Sequence, residues 1–128
     1  MNRGKSGFVR LTKSFGYAFT GIFDLLKSEP NTRIHLLATI GALFAGFILG
    51  ISKTEWCIIL IVIALVWASE AFNTAIEKLT DHLFPEYHEK ARFAKDISAG
   101  AVLVCAMAAL GCGLIIFVPK LLLIIKSF

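Results

Sequence analysis

The stretch EWCIILIVIALVWASEAFNTAIEKLTD, Glu55 to Asp81, decides the fold. From Trp56 to Ser69 it carries no charge, and about 20 apolar residues suffice for a helix to cross a bilayer. Two flanking segments have the same character, Ile34 to Ile51 and Ile97 to about Ile125. The 128-residue chain is 57% hydrophobic and 17% charged, with a mean hydropathy of +0.77, where a water-soluble domain carries about 25% charge. A spanning segment must satisfy its own backbone hydrogen bonds, and the chain is too short for a conventional outer-membrane barrel, so the spans are helices. The expectation is an all-α membrane protein, one unit over 1–128, with membrane helices at about 34–51, 55–82 and 97–125.

The basic residues set an orientation. Six Lys and Arg precede the first span, one separates spans one and two, four separate spans two and three, and two lie in the tail. Ten on one side against three on the other places the amino terminus and the Glu77–Asp96 connection in the cytoplasm. The net charge of +4 is explained by this topology and by anionic lipid, and no nucleic-acid motif accompanies it. No signal peptide is evident at the amino terminus. Cys57, Cys105 and Cys112 lie in apolar stretches without a C-x-x-C pair and read as packing residues.

Ahead of the first span, Phe8, Leu11, Phe15, Phe19, Ile22, Phe23 and Leu26 recur at three- and four-residue steps, with Arg10, Lys13, Tyr17 and Asp24 opposite. This predicts an amphipathic helix over about 7–28, lying in the cytoplasmic interface. Ser28-Glu29-Pro30-Asn31 ends it, because Pro30 disfavours helical geometry at Glu29. Small residues Ala42, Gly46 and Gly50 on span one, and Ala101, Cys105, Ala108 and Cys112 on span three, suggest close helix packing and a homo-oligomer.

Span two also carries Glu70, Asn73, Glu77 and Asp81 on one face. With Trp56 at the outer edge and about 1.5 Å rise per residue, Glu70 lies about 21 Å across a core about 30 Å thick and Glu77 about 32 Å. An ionised carboxylate at the bilayer centre costs roughly 3 kcal/mol and less near the boundary, so Glu70 points to a pathway or a reaction. The cluster sits where lipid headgroups meet cytoplasmic water. A proton channel would instead distribute its acids along the pore; a proton-conducting subunit using Glu70 is the alternative, and a surface adaptor using the basic helix a third reading.

Glu29, at the start of span one, falls at nearly the depth of Glu77, and two hard oxygen ligands suit Mg²⁺ better than zinc. Mg²⁺ held by one or two carboxylates completes its shell with water and phosphate oxygens, which points to a nucleotide triphosphate. With no glycine-rich phosphate loop, the nucleotide contacts would come from Arg10, Tyr17, Glu86, Tyr87, His88, Lys95 and Asp96. His82, His88 and His35 lack the facing arrangement of a haem pair and read as solvated or ligand-contacting.

The segments Glu70-Ala-Phe-Asn-Thr-Ala-Ile-Glu77-Lys-Leu-Thr-Asp81 and Ala94-Lys-Asp-Ile-Ser-Ala-Gly-Ala-Val-Leu103 resemble the prokaryotic diacylglycerol kinase family, which includes undecaprenol kinases. Gly7-Phe-Val-Arg10, Gly16-Tyr17, Ser28-Glu29 and Glu86-Tyr-His88 continue the match in order and spacing. The resemblance implies a homotrimer in the cytoplasmic membrane, with active sites between protomers, that phosphorylates a lipid alcohol with ATP and Mg²⁺. It implies Glu70 as general base, Glu29 and Glu77 as metal ligands, and the seven residues above as nucleotide contacts. It further places Glu70 and Ala99 against the acceptor, with Asn73 and Asp81 in support. His35 stands where diacylglycerol-phosphorylating members carry an acid, and Arg33-Ile-His-Leu-Leu37 looks more like the undecaprenol-phosphorylating branch.

Overall fold

The computed structural model describes residues 3–127. Four helices run in chain order, α1 (Arg3–Ser28), α2 (Pro30–Ile48), α3 (Lys53–Leu83) and α4 (Glu89–Lys126). The last three are long and apolar enough to cross a membrane.

Each junction has a local cause. Glu29 is extended (φ −117°, ψ 116°) before Pro30, which occupies the first turn of α2, where its missing N–H costs nothing. Arg33 reaches back to cap the end of α1, donating from Nε to the carbonyl of Leu26 (3.5 Å) and from Nη2 to that of Lys27 (3.3 Å). At the other end of α2, Gly50 takes a left-handed φ of 59° and Ile51 N–H donates to the carbonyl of Gly46 at 3.2 Å, a Schellman closure. Ser52 then opens α3 with a capping box. Its hydroxyl accepts from Glu55 N–H (3.2 Å) while its own N–H donates to Glu55 Oε2 (2.7 Å). Two motifs back to back fold α2 onto α3.

The small residues expected to form one stripe on span one thus divide by role. Gly46 is packed so closely that an added Cβ would lie 2.8 Å from the Trp56 ring. Gly50 packs against nothing within 4 Å and serves the turn. On α4, likewise, Cys105 and Cys112 are partly buried whereas Ala101 and Ala108 are exposed in the protomer.

The tightest pair is α3 with α4. Ile59, Val62, Val66, Glu70 and Thr74 are buried on α3, and Ala91, Ser98 and Ile116 on α4. The seven-residue step from Ala91 to Ser98, continued by partly buried Cys105 and Cys112, is the repeat of a left-handed helix pair. A lysine–carboxylate pair closes each end, Lys120 with Glu55 at 3.2 Å and Lys95 with Asp81 at 2.7 Å. An apolar cluster of Ile51, Ile59 and Ile116, flanked by Trp56 and Phe117, fills the end near the α2–α3 turn. Many large apolar side chains, among them Phe44, Phe47, Leu103 and Met107, remain exposed, as hydrocarbon or a neighbouring helix permits.

The helices outrun the expected membrane segments. The last span is expected from Ile97, and α4 begins at Glu89, eight residues earlier. Lys95 and Asp96 consequently sit on a rigid helix and not on a flanking loop.

Candidate active site

Two polar contacts join α2 and α3 inside the apolar zone. His35 Nε2 lies 2.9 Å from Glu70 Oε1, and one turn further along Trp67 Nε1 donates to Thr39 Oγ1 at 3.0 Å. The helices are antiparallel, so stepping back from His35 to the start of α2 advances along α3 from Glu70 toward Glu77. At that level Glu29 Oε1 is 3.9 Å from Lys78 Nζ. Glu29 makes no side-chain cap to its own helix, which leaves its carboxylate free to face α3.

The acidic face of α3 meets two different neighbours. Glu70 turns to α2 through His35. Asn73 and Asp81 turn to α4: Ser98 Oγ donates to Asn73 Oδ1 at 2.7 Å, and Lys95 Nζ donates to Asp81 Oδ1 at 2.7 Å. Glu77 is tied into the same chain, because Asn73 Nδ2 donates to Glu77 Oε1 at 3.2 Å. One carboxylate oxygen of Glu77 is thereby oriented while the other is left available.

Beyond Asp81 a cavity of about 300 Å³ opens at the start of α4, lined by Asp81, Glu86, Tyr87, His88, Arg92, Lys95 and Asp96. Five of the seven residues expected to hold the nucleotide therefore converge on one concavity. Phe84 and His88, with ring centroids 4.5 Å apart, pin the connecting loop that forms its wall. Arg10 and Tyr17 do not line it; both lie exposed on α1. Ala99 is exposed on α4 beside buried Ser98.

Three contributors were not legible as site residues in the sequence. Arg92 lines the cavity and approaches Asp96 at 3.7 Å; its i,i+4 spacing was the available signal. Ser98 orients Asn73; it lies in the Ala94–Leu103 segment that carries the resemblance, where its neighbours Lys95, Asp96 and Ala99 are given roles and it is not. His35 is marked in the sequence as a departure from the diacylglycerol-phosphorylating members and as a solvated or ligand-contacting histidine, but its partner Glu70 lies on another helix.

The donor chemistry fits a hard divalent cation shared with phosphate oxygens. Glu29 and Glu77 are hard oxygen donors, and Glu29 reaches Lys78, the residue next to Glu77; among the described residues no cluster of three or more His, Cys, Asp or Glu side chains forms. A cation held by one or two such carboxylates would complete its shell with water or phosphate oxygens.

The family model of prokaryotic diacylglycerol kinase matches residues 16–117. An undecaprenol kinase of Bacillus subtilis (strain 168) is 40% identical over 112 residues, covering 88% of this chain and 91% of its own. A diacylglycerol kinase of Synechocystis sp. is 34% identical over 113 residues, covering 88% of this chain and 65% of its own, and that of Escherichia coli (strain K12) is 29% identical over 109 residues, covering 85% and 89%. The family match, with three helices long and apolar enough to span a membrane, defines this chain as a membrane lipid kinase, an enzyme that draws on a nucleotide phosphoryl donor. It belongs to the prokaryotic diacylglycerol kinase family. The family model and these relatives are named as lipid kinases, and none of them favours the proton-conducting alternative.

Proposed function

We propose that this protein transfers the γ-phosphoryl group of ATP, in the presence of Mg²⁺, to the hydroxyl of a membrane lipid alcohol, undecaprenol in preference to diacylglycerol. The observation that carries the reading is the set of contacts along α3 from a buried carboxylate to a cavity lined by Lys95, Arg92 and three acids: Glu70 to His35, Glu77 to Asn73 and Asp81 to Lys95. The acceptor preference draws on the 40% identity to an undecaprenol kinase and on the Arg33–Leu37 stretch.

In this scheme Glu86, Tyr87, His88, Lys95 and Asp96 hold the nucleotide in the cavity beside α4, and Arg10 and Tyr17 of α1 add contacts from the surface. Glu29 and Glu77 take the metal, which when bound would offset negative charge on the phosphates. The lipid hydroxyl reaches Glu70 from the hydrocarbon side, with Ala99 against the acceptor, and gives up its proton to the carboxylate as the oxygen attacks in line. Lys95 offsets charge on the transferring group. Asn73 and Asp81 orient Glu77 and Lys95. Confinement to the membrane sets the acceptor's depth before any specific contact forms.

The whole chain, 1–128, acts as one lipid kinase unit in the cytoplasmic membrane, its amino terminus and the α3–α4 loop facing the cytoplasm and α1 lying in the interface. The exposed apolar faces of α2 and α4, together with Arg10 and Tyr17 lying outside the protomer's own cavity, support a homotrimer with sites completed between protomers. The test is a competition: purified protein in mixed micelles receives γ-labelled ATP, Mg²⁺, undecaprenol and diacylglycerol together. Label is expected mainly in undecaprenyl phosphate. Label mainly in phosphatidic acid reverses the preference, and label in neither lipid contradicts the reaction.

A further inference from the structure

Glu70 is held by one side chain. Its carboxyl is 6% exposed, and its contact is His35 Nε2 at 2.9 Å, from a different helix. His35 in turn lines a half-open cavity of about 290 Å³ between α2, α3 and α4, whose other walls are almost wholly apolar, including Ala42, Val66 and Leu110; Glu70 does not line it. We propose that His35 is a positioning residue for the acceptor-activating step, its Nε2–H fixing one oxygen of Glu70 so that the other faces the lipid hydroxyl. This rests on the reading of Glu70 as base.

The physical argument is one of rotamers and hydrogens. A glutamate has three rotatable bonds, and a buried carboxylate with no fixed donor has no reason to prefer the orientation that catalysis needs. Imidazole carrying a proton on Nε2 donates one hydrogen there, occupying Oε1 and leaving Oε2 with full acceptor capacity. During transfer the hydroxyl proton moves to Oε2 while the alcohol oxygen bonds to phosphorus and the bond to the nucleotide's leaving oxygen breaks; His35 keeps its own proton. The competing account is a helix staple with no part in turnover. Thr39 and Trp67 supply an internal control, since they make a similar cross-helix hydrogen bond one turn away without touching Glu70.

The experiment compares His35→Ala, His35→Gln, Thr39→Val and Glu70→Gln in mixed micelles, reading kcat and the KM for ATP. His35→Ala is expected to lower kcat by about tenfold to a hundredfold with the KM for ATP unchanged. His35→Gln, which restores an N–H near the position of Nε2, is expected to recover most of the loss, and Thr39→Val to turn over as the parent does. Unchanged kcat in His35→Ala overturns the proposal, as does an equal loss in Thr39→Val. A His35→Gln variant with no better turnover than His35→Ala also overturns it; should the alanine variant not accumulate, loss in His35→Gln as deep as in Glu70→Gln does so. Turnover retained in Glu70→Gln would instead remove the base assignment itself, so the two failures are distinct.

Discussion

Ser98 and Asn73 join α4 to α3 at 2.7 Å, hydroxyl to amide oxygen, and that contact decides which way the amide points. With Oδ1 occupied by Ser98, Nδ2 is directed at Glu77 Oε1. A residue that touches neither substrate in the proposed scheme therefore orients a proposed metal ligand through one intermediary.

Asn73→Ala is accordingly expected to weaken the apparent affinity for Mg²⁺ by roughly tenfold to a hundredfold, the usual cost of losing a group that orients a ligand. Ser98→Ala should produce a smaller effect in the same direction. Titrating Mg²⁺ at saturating ATP measures both, and an unchanged Mg²⁺ requirement in Asn73→Ala would contradict the arrangement.

Lys95 and Asp81 make a short but exposed ion pair at the mouth of the cavity. Exposed pairs contribute little to stability, so Lys95→Gln is expected to leave the thermal midpoint in detergent nearly unchanged while raising the KM for ATP and lowering kcat. A large fall in thermal midpoint with unaltered kinetics would identify the lysine as structural.

Gly46 and Gly41 lie on the same helix and predict opposite outcomes. An added methyl at Gly46 would lie 2.8 Å from Trp56 Cη2, whose ring is rigid, whereas Gly41 has nothing within 4 Å. Gly46→Ala should destabilise by about 1–3 kcal/mol through overpacking, and Gly41→Ala should be neutral or slightly stabilising. Denaturation of the two variants in matched micelles checks the contrast.

Arg33 caps α1 through the Leu26 and Lys27 carbonyls across the Pro30 break. Arg33→Ala is expected to speed amide hydrogen exchange in the last two turns of α1 while leaving α3 and α4 protected. Equal acceleration along all four helices would mean that the arginine stabilises the whole bundle instead of this junction.

What the sequence makes legible follows from how far its signals reach. The apolar runs and Pro30 reveal the helices because those signals act within a helix or at its end, and a three- to four-residue step places Glu70, Asn73, Glu77 and Asp81 on one face. The sequence does not reveal which neighbour each of those residues meets. His35 and Glu70 are brought together by helix register, which the turn at Gly50–Ser52 sets. Gly50 looked like a packing residue by its spacing from Gly46, because a four-residue period cannot distinguish a helix face from a helix end. The family resemblance bridged part of this gap by supplying positions, and the contacts now give several of those positions a physical partner.

The most direct test of the account is phosphoryl transfer by Glu70→Gln, measured as label passing from γ-labelled ATP to undecaprenol with saturating Mg²⁺. The account predicts that transfer is abolished while the KM for ATP, read from any residual activity or from nucleotide binding, stays as in the parent. Turnover near the parent rate in that variant would contradict it.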